Sequence, residues 1–490
     1  MPVILGIDTG GTYTDSVLVD AGSRQVLHKA KAFTTRHNLL CGIAESLDNL
    51  QFDHPTDISM VCLSTTLATN AVVEHQGGRV GAFLLGRDAE GALPASCLHR
   101  LRGTMNIKGR ILEDIIPDEA AKIARSWAGQ IDAIAISGFA SVRNPAHEQR
   151  IREIIQHELD VPVVCAHELS SSLGFHERTV TAILNAALIP NIRELIDATD
   201  RALLQRGIHA PIMIVKGDGN LMRADYARNR PIETVLSGPA ASIVGGLFLS
   251  GIKDALLLDM GGTTSDLALV QDGQVAICTS GASVGGWRTQ LRAAEISTFG
   301  IGGDSRLHWS MEGRLYVGPQ RVLPLCVAGQ RNPKLASELV FYSIPPEYEL
   351  FEEQACECYA FLRPPRYREA TIPEQQLFEL LSDGPHPLFY LVQHLETDPK
   401  ALDLTALVRE GVLQRCGLTP TDLLHIRSRM TRWDAEASLA GAQALAARRG
   451  LPLEDFLQMA FAAVEDRLRE SCLQATADFT HCTFSPHDPT

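Results

Sequence analysis

The chain has 490 residues, of which 45% are hydrophobic and 21% are charged; this is the composition of an ordinary globular protein, and the length is too great for a single hydrophobic core. The formal net charge of −14 argues against a nucleic-acid partner, because proteins that bind a phosphate backbone concentrate lysine and arginine. No apolar run approaches the roughly 20 residues of a membrane-spanning helix, and no basic segment precedes the first apolar residues, so we expect neither a membrane anchor nor a secretory signal.

The cysteines predict a reducing environment. There are eleven of them, an odd number, and they are spread through the chain without a C-x-x-C pair. The only close pair is Cys356 and Cys358, and no second pair with the spacing of a tetrahedral metal site accompanies it. We therefore expect free, mostly buried thiols in a cytoplasmic protein.

The first two hundred residues alternate between strand and helix patterns. The predicted elements are a hairpin over 1–20, a strand over 26–33, a helix over 38–50, strands over 61–64, 79–85 and 131–137, a helix over 145–159, a strand over 161–165 and a long helix over 178–204. The hydroxyl-rich run 65–70 is expected to cap the next helix or to touch a ligand, and Pro190 is expected to interrupt the long helix. This alternation favours an α/β fold.

A second α/β unit is predicted from residue 212 onward. A strand over 212–215 runs into the glycine loop 216–220, which places that loop at the carboxyl end of a sheet, where ligands bind in open α/β folds. Residues 237–246 predict a helix of small residues with Ser237 as its N-cap. A further glycine loop over 300–305 ends in Asp304 and Ser305, which are weaker candidates for a phosphate or substrate contact.

The last third of the chain changes in character. Residues 345–400 contain eleven acidic and four basic residues, and 404–413 with 419–426 predict a small helical or winged unit. Helices over 435–449 and 453–477 are rich in Ala and Leu at helical spacing, which is typical of core packing. We expect a mainly helical C-terminal portion.

One stretch occurs twice. Residues 257–270 repeat residues 6–19 at an offset of 251, and seven of the thirteen positions from 7 to 19 are identical: Asp8/Asp259, Gly10/Gly261, Gly11/Gly262, Thr12/Thr263, Asp15/Asp266, Leu18/Leu269 and Val19/Val270. Each copy reads as a strand, a Gly-Thr turn and a returning strand. So close a match indicates an internal duplication.

Each copy has the chemistry of a phosphate site. A glycine turn directs backbone N–H groups and hydroxyls into one concavity, and the aspartate at the end of each first strand suits a hydrated Mg²⁺, which takes few carboxylates. The spacing fits neither the dinucleotide fingerprint nor the P-loop, and the β-branched residues after each turn favour a strand over a helix. An ordinary structural hairpin is the remaining alternative.

Three polar residues of the long helix share one face. Arg178, Thr181 and Asn185 follow one another at i, i+3 and i+7. They are equally consistent with the lining of a cleft and with hydrogen bonding at a domain junction.

Several ordered motifs resemble the hydantoinase A / 5-oxoprolinase family. They are GIDTGGTYTD, STTLATNAVVE, GFASVRNPAHEQR, HERTVTAILNA, KGDGNLMRADYARNRPIETVLSGPAASIVGG, LLLDMGGTTSDLALV and FGIGGDS, and the resemblance runs from residue 3 to about 306. More broadly, SGPAA followed by DMGGTTSD is similar to the connecting and second phosphate motifs of the actin-like ATPase superfamily.

The resemblance implies a fold and an activity. The fold is α/β, with two duplicated actin-like (ribonuclease H-like) ATPase domains flanking a nucleotide cleft; the domains would span 1–205 and 206–490, the second with the 345–430 acidic insertion and the C-terminal helices. The activity is ATP- and Mg²⁺-dependent hydrolysis of a cyclic amide such as 5-oxoproline or a hydantoin, through phosphorylation of the ring carbonyl oxygen. A B-type hydantoinase subunit is an expected partner, and a homo-oligomer is left open.

The resemblance also implies roles for individual residues. The residues expected to hold ATP are Gly10, Gly11, Thr12, Thr14, Gly217, Asp218, Gly219, Gly261, Gly262, Thr263, Thr264, Gly302, Gly303 and Asp304. Asp8 and Asp259 would place Mg²⁺ through water, and Asp266 and Asp15 would orient or deprotonate the attacking oxygen. Lys216, Asn220 and Ser305 are candidates of second rank.

Two other functions are compatible with the same motifs. One is a small-molecule kinase of the same fold. The other is a non-catalytic nucleotide-binding module, suggested by the lack of an obvious glycine-rich adenosine-binding segment near the end of the sequence.

Overall fold

A computed structural model describes residues 2–11, 13–35, 38–50, 52, 54–343, 354–365, 368–398 and 404–480. The chain forms two compact units. Unit 1 comprises Met1–Ala255 and Val270–Glu295, and unit 2 comprises Leu256–Leu269 and Ile296–Thr490. The architecture is mixed α/β, as the alternation of strand and helix patterns predicts.

The strands are β1 (Val3–Thr9), β2 (Tyr13–Asp20), β3 (Val26–Phe33), β4 (Ile58–Thr65), β5 (Val80–Leu85), β6 (Cys97–Leu101), β7 (Thr104–Met105), β8 (Ile111–Glu113), β9 (Ala133–Gly138), β10 (Val163–Cys165), β11 (Ile212–Val215), β12 (Leu221–Arg223), β13 (Ala255–Met260), β14 (Ser265–Gln271), β15 (Gln274–Val275), β16 (Ile277–Cys278), β17 (Ser283–Val284), β18 (Trp287–Arg288), β19 (Ala293–Ala294), β20 (Ser297–Phe299), β21 (Ser305–Trp309), β22 (Leu315–Arg321), β23 (Leu323–Pro324), β24 (Cys358–Phe361), β25 (His386–Pro387) and β26 (Leu413–Gly417).

The α-helices are α1 (Leu39–Asp48), α2 (Leu67–Val73), α3 (Pro117–Ser126), α4 (Ala146–Glu158), α5 (Phe175–Leu204), α6 (Ala224–Ala227), α7 (Ser237–Ser250), α8 (Leu325–Arg331), α9 (Leu335–Phe341), α10 (Ile372–Leu380), α11 (Leu388–His394), α12 (Leu404–Arg409), α13 (Pro420–Ile426), α14 (Ala435–Ala447) and α15 (Leu453–Thr480). Short 3₁₀ turns lie at Pro55–Asp57, Ala166–Glu168 and Pro231–Thr234. Among the helices that the structure describes, none is long and apolar enough to cross a membrane.

Unit 1 contains a six-stranded sheet in the order β12-β11-β4-β1-β2-β3. The strands β11, β4 and β1 run parallel, so their carboxyl ends, at Val215, Thr65 and Thr9, lie along one edge. Apolar residues of these strands are buried with those of α1 and α5, as Leu5, Ile43 and other core residues show. The β1–β2 hairpin turn and the glycine loop after β11 are thereby placed at the same sheet edge.

Unit 1 also holds a parallel four-stranded sheet in the order β10-β9-β5-β6. Every residue of β5 and of β9 is buried, as expected for strands that are covered on both faces. The rings of Phe83 and Trp127 stack in this core with their centroids 4.6 Å apart.

In unit 2, β13 and β14 form the second hairpin, and β20 pairs antiparallel with β14. A four-stranded sheet, β23-β26-β24-β25, and the helices α8, α9, α13, α14 and α15 supply most of its core. The C-terminal portion is therefore less purely helical than predicted. In particular, residues 413–417 form the strand β26, which pairs with both β24 and β23.

Most predicted elements are confirmed within a few residues, and two local predictions are wrong. The helix α5 continues through Pro190, which lies inside it. The N-cap of α7 is Leu236, in a left-handed conformation with φ 62°, and Ser237 is the first helical residue. Ser237 instead donates its hydroxyl hydrogen to the carbonyl of Thr65 at 2.9 Å, which ties the start of α7 to the end of β4.

Candidate active site

The two copies of the repeated stretch form hairpins that are closed by the same hydrogen bond. In unit 1 the N–H of Gly10 donates to the carbonyl of Tyr13 at 2.9 Å, and in unit 2 the N–H of Gly261 donates to the carbonyl of Thr264 at 2.9 Å. These donors and acceptors correspond at the offset of 251 found in the sequence. The duplication therefore extends from the residues to the geometry of the turns, although Thr12 lies outside the described residues.

A side chain would crowd the turn at the first leading glycine and would just reach van der Waals contact at the second. A Cβ on Gly10 would lie 3.0 Å from the carbonyl oxygen of Tyr13, and one on Gly261 would lie 3.4 Å from that of Thr264. In unit 2, residues 261–263 are exposed to solvent. Within the described part of the chain, the N–H groups of Gly262 and Thr263 donate to no acceptor. Such donors are suited to an anion.

Asp8 is the last residue but one of β1 and lies opposite Asp15 in the hairpin register. Its carboxylate accepts a 2.6 Å hydrogen bond from the hydroxyl of Ser64, on the neighbouring strand β4. That bond orients one carboxylate oxygen. A cavity of about 1050 Å³ adjoins these residues and is lined by Asp8, Asp15 and Ser64, among others.

The second aspartates of the two hairpins have different partners. Asp15 stands opposite Lys31 on β3 and forms an ion pair with it, Oδ1 to Nζ, at 2.9 Å. Asp266 stands opposite Thr298 on β20 and accepts a 2.6 Å hydrogen bond from its hydroxyl. Burial raises the pKa of Asp266, and the charge of Asp259 raises it further, while the hydrogen bond from Thr298 acts in the opposite direction. Asp266 therefore has the environment of a proton acceptor more than Asp15 does.

Thr14, which follows the first turn in β2, has its side chain inside unit 1. Thr14 is buried, and its hydroxyl lies 3.0 Å from that of Thr34 in a hydrogen bond. Its expected role in holding ATP stays a prediction, and its side chain is already engaged inside unit 1.

The glycine loop at 302–305 packs directly on the second hairpin turn. The N–H of Gly303 donates to the carbonyl of Gly261 at 2.9 Å, and the N–H of Asp304 donates to that of Gly262 at 2.7 Å. The N–H of Gly302 donates to the hydroxyl of Ser305 at 2.9 Å. The N–H groups of Gly303 and Asp304 thus hold this loop against the second hairpin turn.

Asp304 and Arg321 form the charged part of this support. The Nη2 atom of Arg321 lies 3.1 Å from the Oδ2 atom of Asp304. Burial raises the pKa of Asp304, and the guanidinium of Arg321 limits the rise. A carboxylate oxygen of Asp304 also lies 2.9 Å from where a Cβ on Gly262 would be, so a side chain at this position would have to displace that carboxylate.

The loop after β11 is organised by a half-buried lysine. Lys216 pairs with Glu233 at 2.9 Å and with Asp218 at 3.4 Å. Burial lowers the pKa of Lys216, but the two carboxylates outweigh it and the net shift is upward. Gly217 approaches another backbone so closely that a Cβ would lie 2.3 Å from the carbonyl oxygen of Val235, and Gly219 has a φ of +81°.

The rest of this loop is held by its own side chains. The N–H of Asn220 donates to the Oδ1 atom of Asp218 at 3.1 Å, and its carbonyl accepts from the N–H of Lys216 at 2.8 Å. The loop follows β11, and the first turn follows β1, so both lie at the same edge of the six-stranded sheet.

The polar face of α5 is structural within unit 1. Arg178 donates to the carbonyls of Ser172 at 2.9 Å, Gly138 at 2.6 Å and Phe139 at 3.1 Å. Thr181 accepts from the N–H of Gln290. These buried and part-buried hydrogen bonds join segments of one unit.

Asn185, the third residue of that face, behaves in the same way. Its side chain donates to the carbonyl of Asn229 and accepts from the N–H of Ile232. The predicted hydrogen bonding is present, but it joins segments inside unit 1 and does not lie at a junction between the two units.

The sequence reasoning missed several partners of the site residues. Ser64, Lys31, Thr298, Glu233 and Arg321 each contact a predicted site residue. All five partners are distant in sequence from the residues they contact, and only Ser64 lies in a local sequence feature, the strand-to-hydroxyl transition at 61–64.

Comparisons with known proteins converge on one family. A family model described as the N-terminal region of hydantoinase/oxoprolinase matches residues 4–159, and one described as hydantoinase/oxoprolinase matches residues 178–328. Together these two matches cover more than half of the chain.

Two curated relatives are each similar to 64% of the chain. The chain is 32% identical over 351 residues to the caprolactamase subunit alpha of Pseudomonas jessenii, covering 64% of the chain and 50% of that protein. It is 30% identical over 363 residues to the acetophenone carboxylase gamma subunit of Aromatoleum aromaticum, covering 64% of the chain and 49% of that protein. The chain spans about half the length of these relatives.

A solved structure shows the fold. The crystal structure of the ATP-dependent caprolactamase from Pseudomonas jessenii matches 97% of this chain and 63% of its own with a TM-score of 0.62 at 22% identity. The likeness extends over almost the whole chain, including the region beyond residue 328.

Proposed function

Because the chain belongs to the hydantoinase/oxoprolinase family, we propose that it is the ATP-dependent subunit that activates a cyclic amide by phosphorylating its ring carbonyl oxygen. The observation that carries the proposal is the repeated turn, closed by the Gly10 to Tyr13 and Gly261 to Thr264 hydrogen bonds of equal length. A family whose name joins two cyclic-amide hydrolases supplies the substrate class. 5-Oxoproline, hydantoins and related lactams are the candidates.

The fold proposal is a pair of duplicated actin-like ATPase domains. It is supported by the equivalence of β1–β2 with β13–β14 at an offset of 251 residues, and by the third strand that pairs antiparallel with the second strand of each hairpin. The proposed domain ranges remain 1–205 and 206–490. One glycine turn from each half would bind phosphate.

The residues at the turns fit ATP and Mg²⁺. The exposed N–H groups of Gly262 and Thr263 are donors without an internal acceptor in the described chain, as phosphate oxygens require. Asp8 and Asp259 are each the last residue but one of the strand that leads into a turn, and one or two carboxylates are what Mg²⁺ takes when it keeps several waters. ATP would supply the phosphoryl group that turns a poorly electrophilic amide into one that water can attack.

We assign proton handling to Asp266 before Asp15. The raised pKa of Asp266 makes its carboxylate a better proton acceptor than an ordinary aspartate, and only a neutral hydroxyl contacts it in the β14–β20 pair. Asp15 is engaged by the ammonium of Lys31, which favours a role in charge balance at the first turn. Asp266 would orient the attacking oxygen.

A partner subunit is part of the proposal. The relatives are named as the alpha and gamma subunits of their enzymes, and hydrolysis in this family often needs a B-type subunit. We therefore expect phosphoryl transfer from this chain and ring opening in a complex.

The test is turnover of ATP in the presence of Mg²⁺ with and without 5-oxoproline, hydantoin and caprolactam. At least one cyclic amide should stimulate phosphate release, and Asp259→Asn should abolish the stimulated rate. Asp254→Asn is the matched control, because Asp254 lies just before the same strand and only accepts from the N–H of Asp272, a bond that asparagine can keep. Tight binding of ATP with no response to any cyclic amide would remove the substrate claim.

A second candidate substrate is a ketone that is to be carboxylated. It is favoured by the similarity to an acetophenone carboxylase subunit, since a ketone also presents a carbonyl oxygen to the phosphoryl group. Stimulation by acetophenone with bicarbonate, in place of a lactam, would support it. A stable phosphorylated product would indicate a small-molecule kinase, and failure to bind Mg-ATP in calorimetry would eliminate every ATP-dependent function.

A further inference from the structure

A second cavity lies in unit 1, apart from the predicted site residues. Its volume is about 510 Å³, within the range of roughly 300 to 1,000 Å³ that small-molecule pockets occupy. Residues of α4, β10, α5 and the segment after α6 line it, and all of them belong to unit 1.

The cavity is positively charged in an acidic protein. Arg152, Arg193 and Arg230 line it, against one carboxylate, that of Glu168. The whole chain has a formal charge of −14, so three guanidiniums around one cavity are a local excess of positive charge in a protein whose net charge is negative. A local excess of positive charge in a concave site attracts anions.

Two of the three guanidiniums make only long polar contacts, although that of Arg230 also lies over the ring of Tyr226, 4.8 Å from its centroid. The hydrogen bonds of Arg193 reach only neutral oxygens, the carbonyl of Arg228 at 3.4 Å and the side chain of Asn229 at 3.5 Å, and no ion pair of Arg193 is found in the described chain. Arg230 lies 3.5 Å from Glu233. Donors at these distances can turn to a better acceptor at little cost.

The third guanidinium has spare hydrogen-bonding capacity. The Nη2 atom of Arg152 lies 2.6 Å from the Oε2 atom of Glu168, whereas its buried Nε atom has no hydrogen-bond partner among the residues described. A buried donor without an acceptor costs free energy, and an incoming oxygen atom would relieve it.

Other parts of the wall are apolar. Val161, Val163, Leu169 and Ile189 contribute side chains to it. Inorganic phosphate could bind the guanidiniums but would make no apolar contact with this surface. An anion with a short hydrocarbon chain would contact both. A carboxylate suits the site in particular, because the planar guanidinium of arginine can donate two parallel hydrogen bonds to it.

We propose that this cavity is a binding site for a small organic carboxylate, held by Arg193 and Arg230 with its hydrocarbon part against the valines. The inference does not rest on the proposed ATP chemistry. The site is nevertheless near it, because Glu233, the partner of Arg230, is also the partner of Lys216 in the predicted site loop.

The experiment is saturation-transfer NMR on the full chain with valerate, with valeramide as its neutral isostere and inorganic phosphate as a competitor. We expect valerate to bind at least fivefold more tightly than valeramide and to be displaced only by a large excess of phosphate. Arg193→Gln and Arg230→Gln should each weaken valerate binding about tenfold.

Arg201→Gln is the matched control, because Arg201 lies on the same helix, is exposed and does not line the cavity; it should leave valerate binding unchanged. Thermal unfolding of each variant shows whether it is folded. The proposal is overturned if valerate does not bind, if valeramide binds equally well, if phosphate binds more tightly than valerate, or if both cavity variants keep the affinity of the unmodified protein.

Discussion

Thr298 donates its hydroxyl hydrogen to the carboxylate of Asp266 at 2.6 Å, and the two residues stand directly opposite each other on β20 and β14. This contact stabilises the charged form of Asp266, while burial and the charge of Asp259 raise its pKa. Burial is the largest influence on the pKa of the candidate base, and a strand outside the hairpin, β20, supplies the hydrogen bond that opposes it.

Thr298→Val should shift the pH dependence of the reaction. Without the hydroxyl, the pKa of Asp266 rises further, so the acidic limb of the ATP turnover profile should move to higher pH while the maximal rate stays similar. The profile of Thr279→Val, a change at an exposed position, is the control. An unchanged acidic limb would show that Asp266 does not carry the titration.

Asp266→Asn should change how stability depends on pH. A carboxyl whose pKa is raised in the folded state above 3.8 adds stability below the unfolded value, and this contribution is lost as the pH rises through the folded pKa. Urea unfolding at a series of pH values should therefore show the variant gaining stability relative to the unmodified protein as the pH increases from about 4. A constant difference would contradict the raised pKa.

The loop over the second turn should not accept a methyl group. In Gly302→Ala the new Cβ would lie 2.4 Å from the carbonyl oxygen and 2.6 Å from the carbonyl carbon of Gly262, so one backbone must move. We expect a loss of about 1 to 3 kcal/mol in the free energy of unfolding, as for other overpacked sites, together with weaker Mg-ATP binding because the turn loses its support.

Gly300→Ala is the matched control for that loop. It lies two residues away, and nothing comes within 4 Å of its added Cβ. Urea unfolding and calorimetry should separate the two variants, and equal behaviour would mean that the packing of the loop on Gly262 is unimportant.

Whether a feature of this site can be predicted from the sequence depends on how far apart in the chain the interacting residues lie. The turns were predictable because the glycine spacing is a local sequence pattern and the repeat at an offset of 251 is visible in the sequence itself. The partner of Asp266 was not, because strand pairing between residues 266 and 298 depends on the tertiary fold. The same reason explains why Glu233 and Arg321 went unnoticed.

Local propensity also failed where packing overrides it. Pro190 carries a strong tendency to end a helix, yet α5 continues through it, and the helix is buried over most of its length by the surrounding sheets. Leu236 adopts a left-handed conformation that leucine rarely takes, while Ser237 is engaged with Thr65.

Arg178→Ala should destabilise the protein without changing recognition of the substrate. The guanidinium is fully buried and donates to three carbonyls, including those of Gly138 and Phe139, so its removal leaves buried acceptors unsatisfied. A loss of about 2 kcal/mol or more in the free energy of unfolding is expected. Arg201→Ala, at an exposed position of the same helix, should cost little.

The kinetics of the same variant distinguish the two interpretations of this helix face. If Arg178 only joins segments of unit 1, the KM for the cyclic amide should stay the same at a temperature where Arg178→Ala is folded. A large rise in KM with unchanged stability would instead place Arg178 in a substrate cleft.

Pro190→Ala should stabilise the protein. An alanine at this position restores an N–H that can donate to the carbonyl of Ala186, one turn earlier in α5, and it removes the clash between the proline ring and that carbonyl. Pro190 is exposed, so little packing is lost. A gain of about 1 to 3 kcal/mol in the free energy of unfolding is expected. The measurement is calorimetric unfolding of Pro190→Ala, with Pro145→Ala as the control. Pro145 is the N-cap of α4, where no N–H is needed inside the helix. Equal shifts in the two variants would show that Pro190 does not destabilise α5.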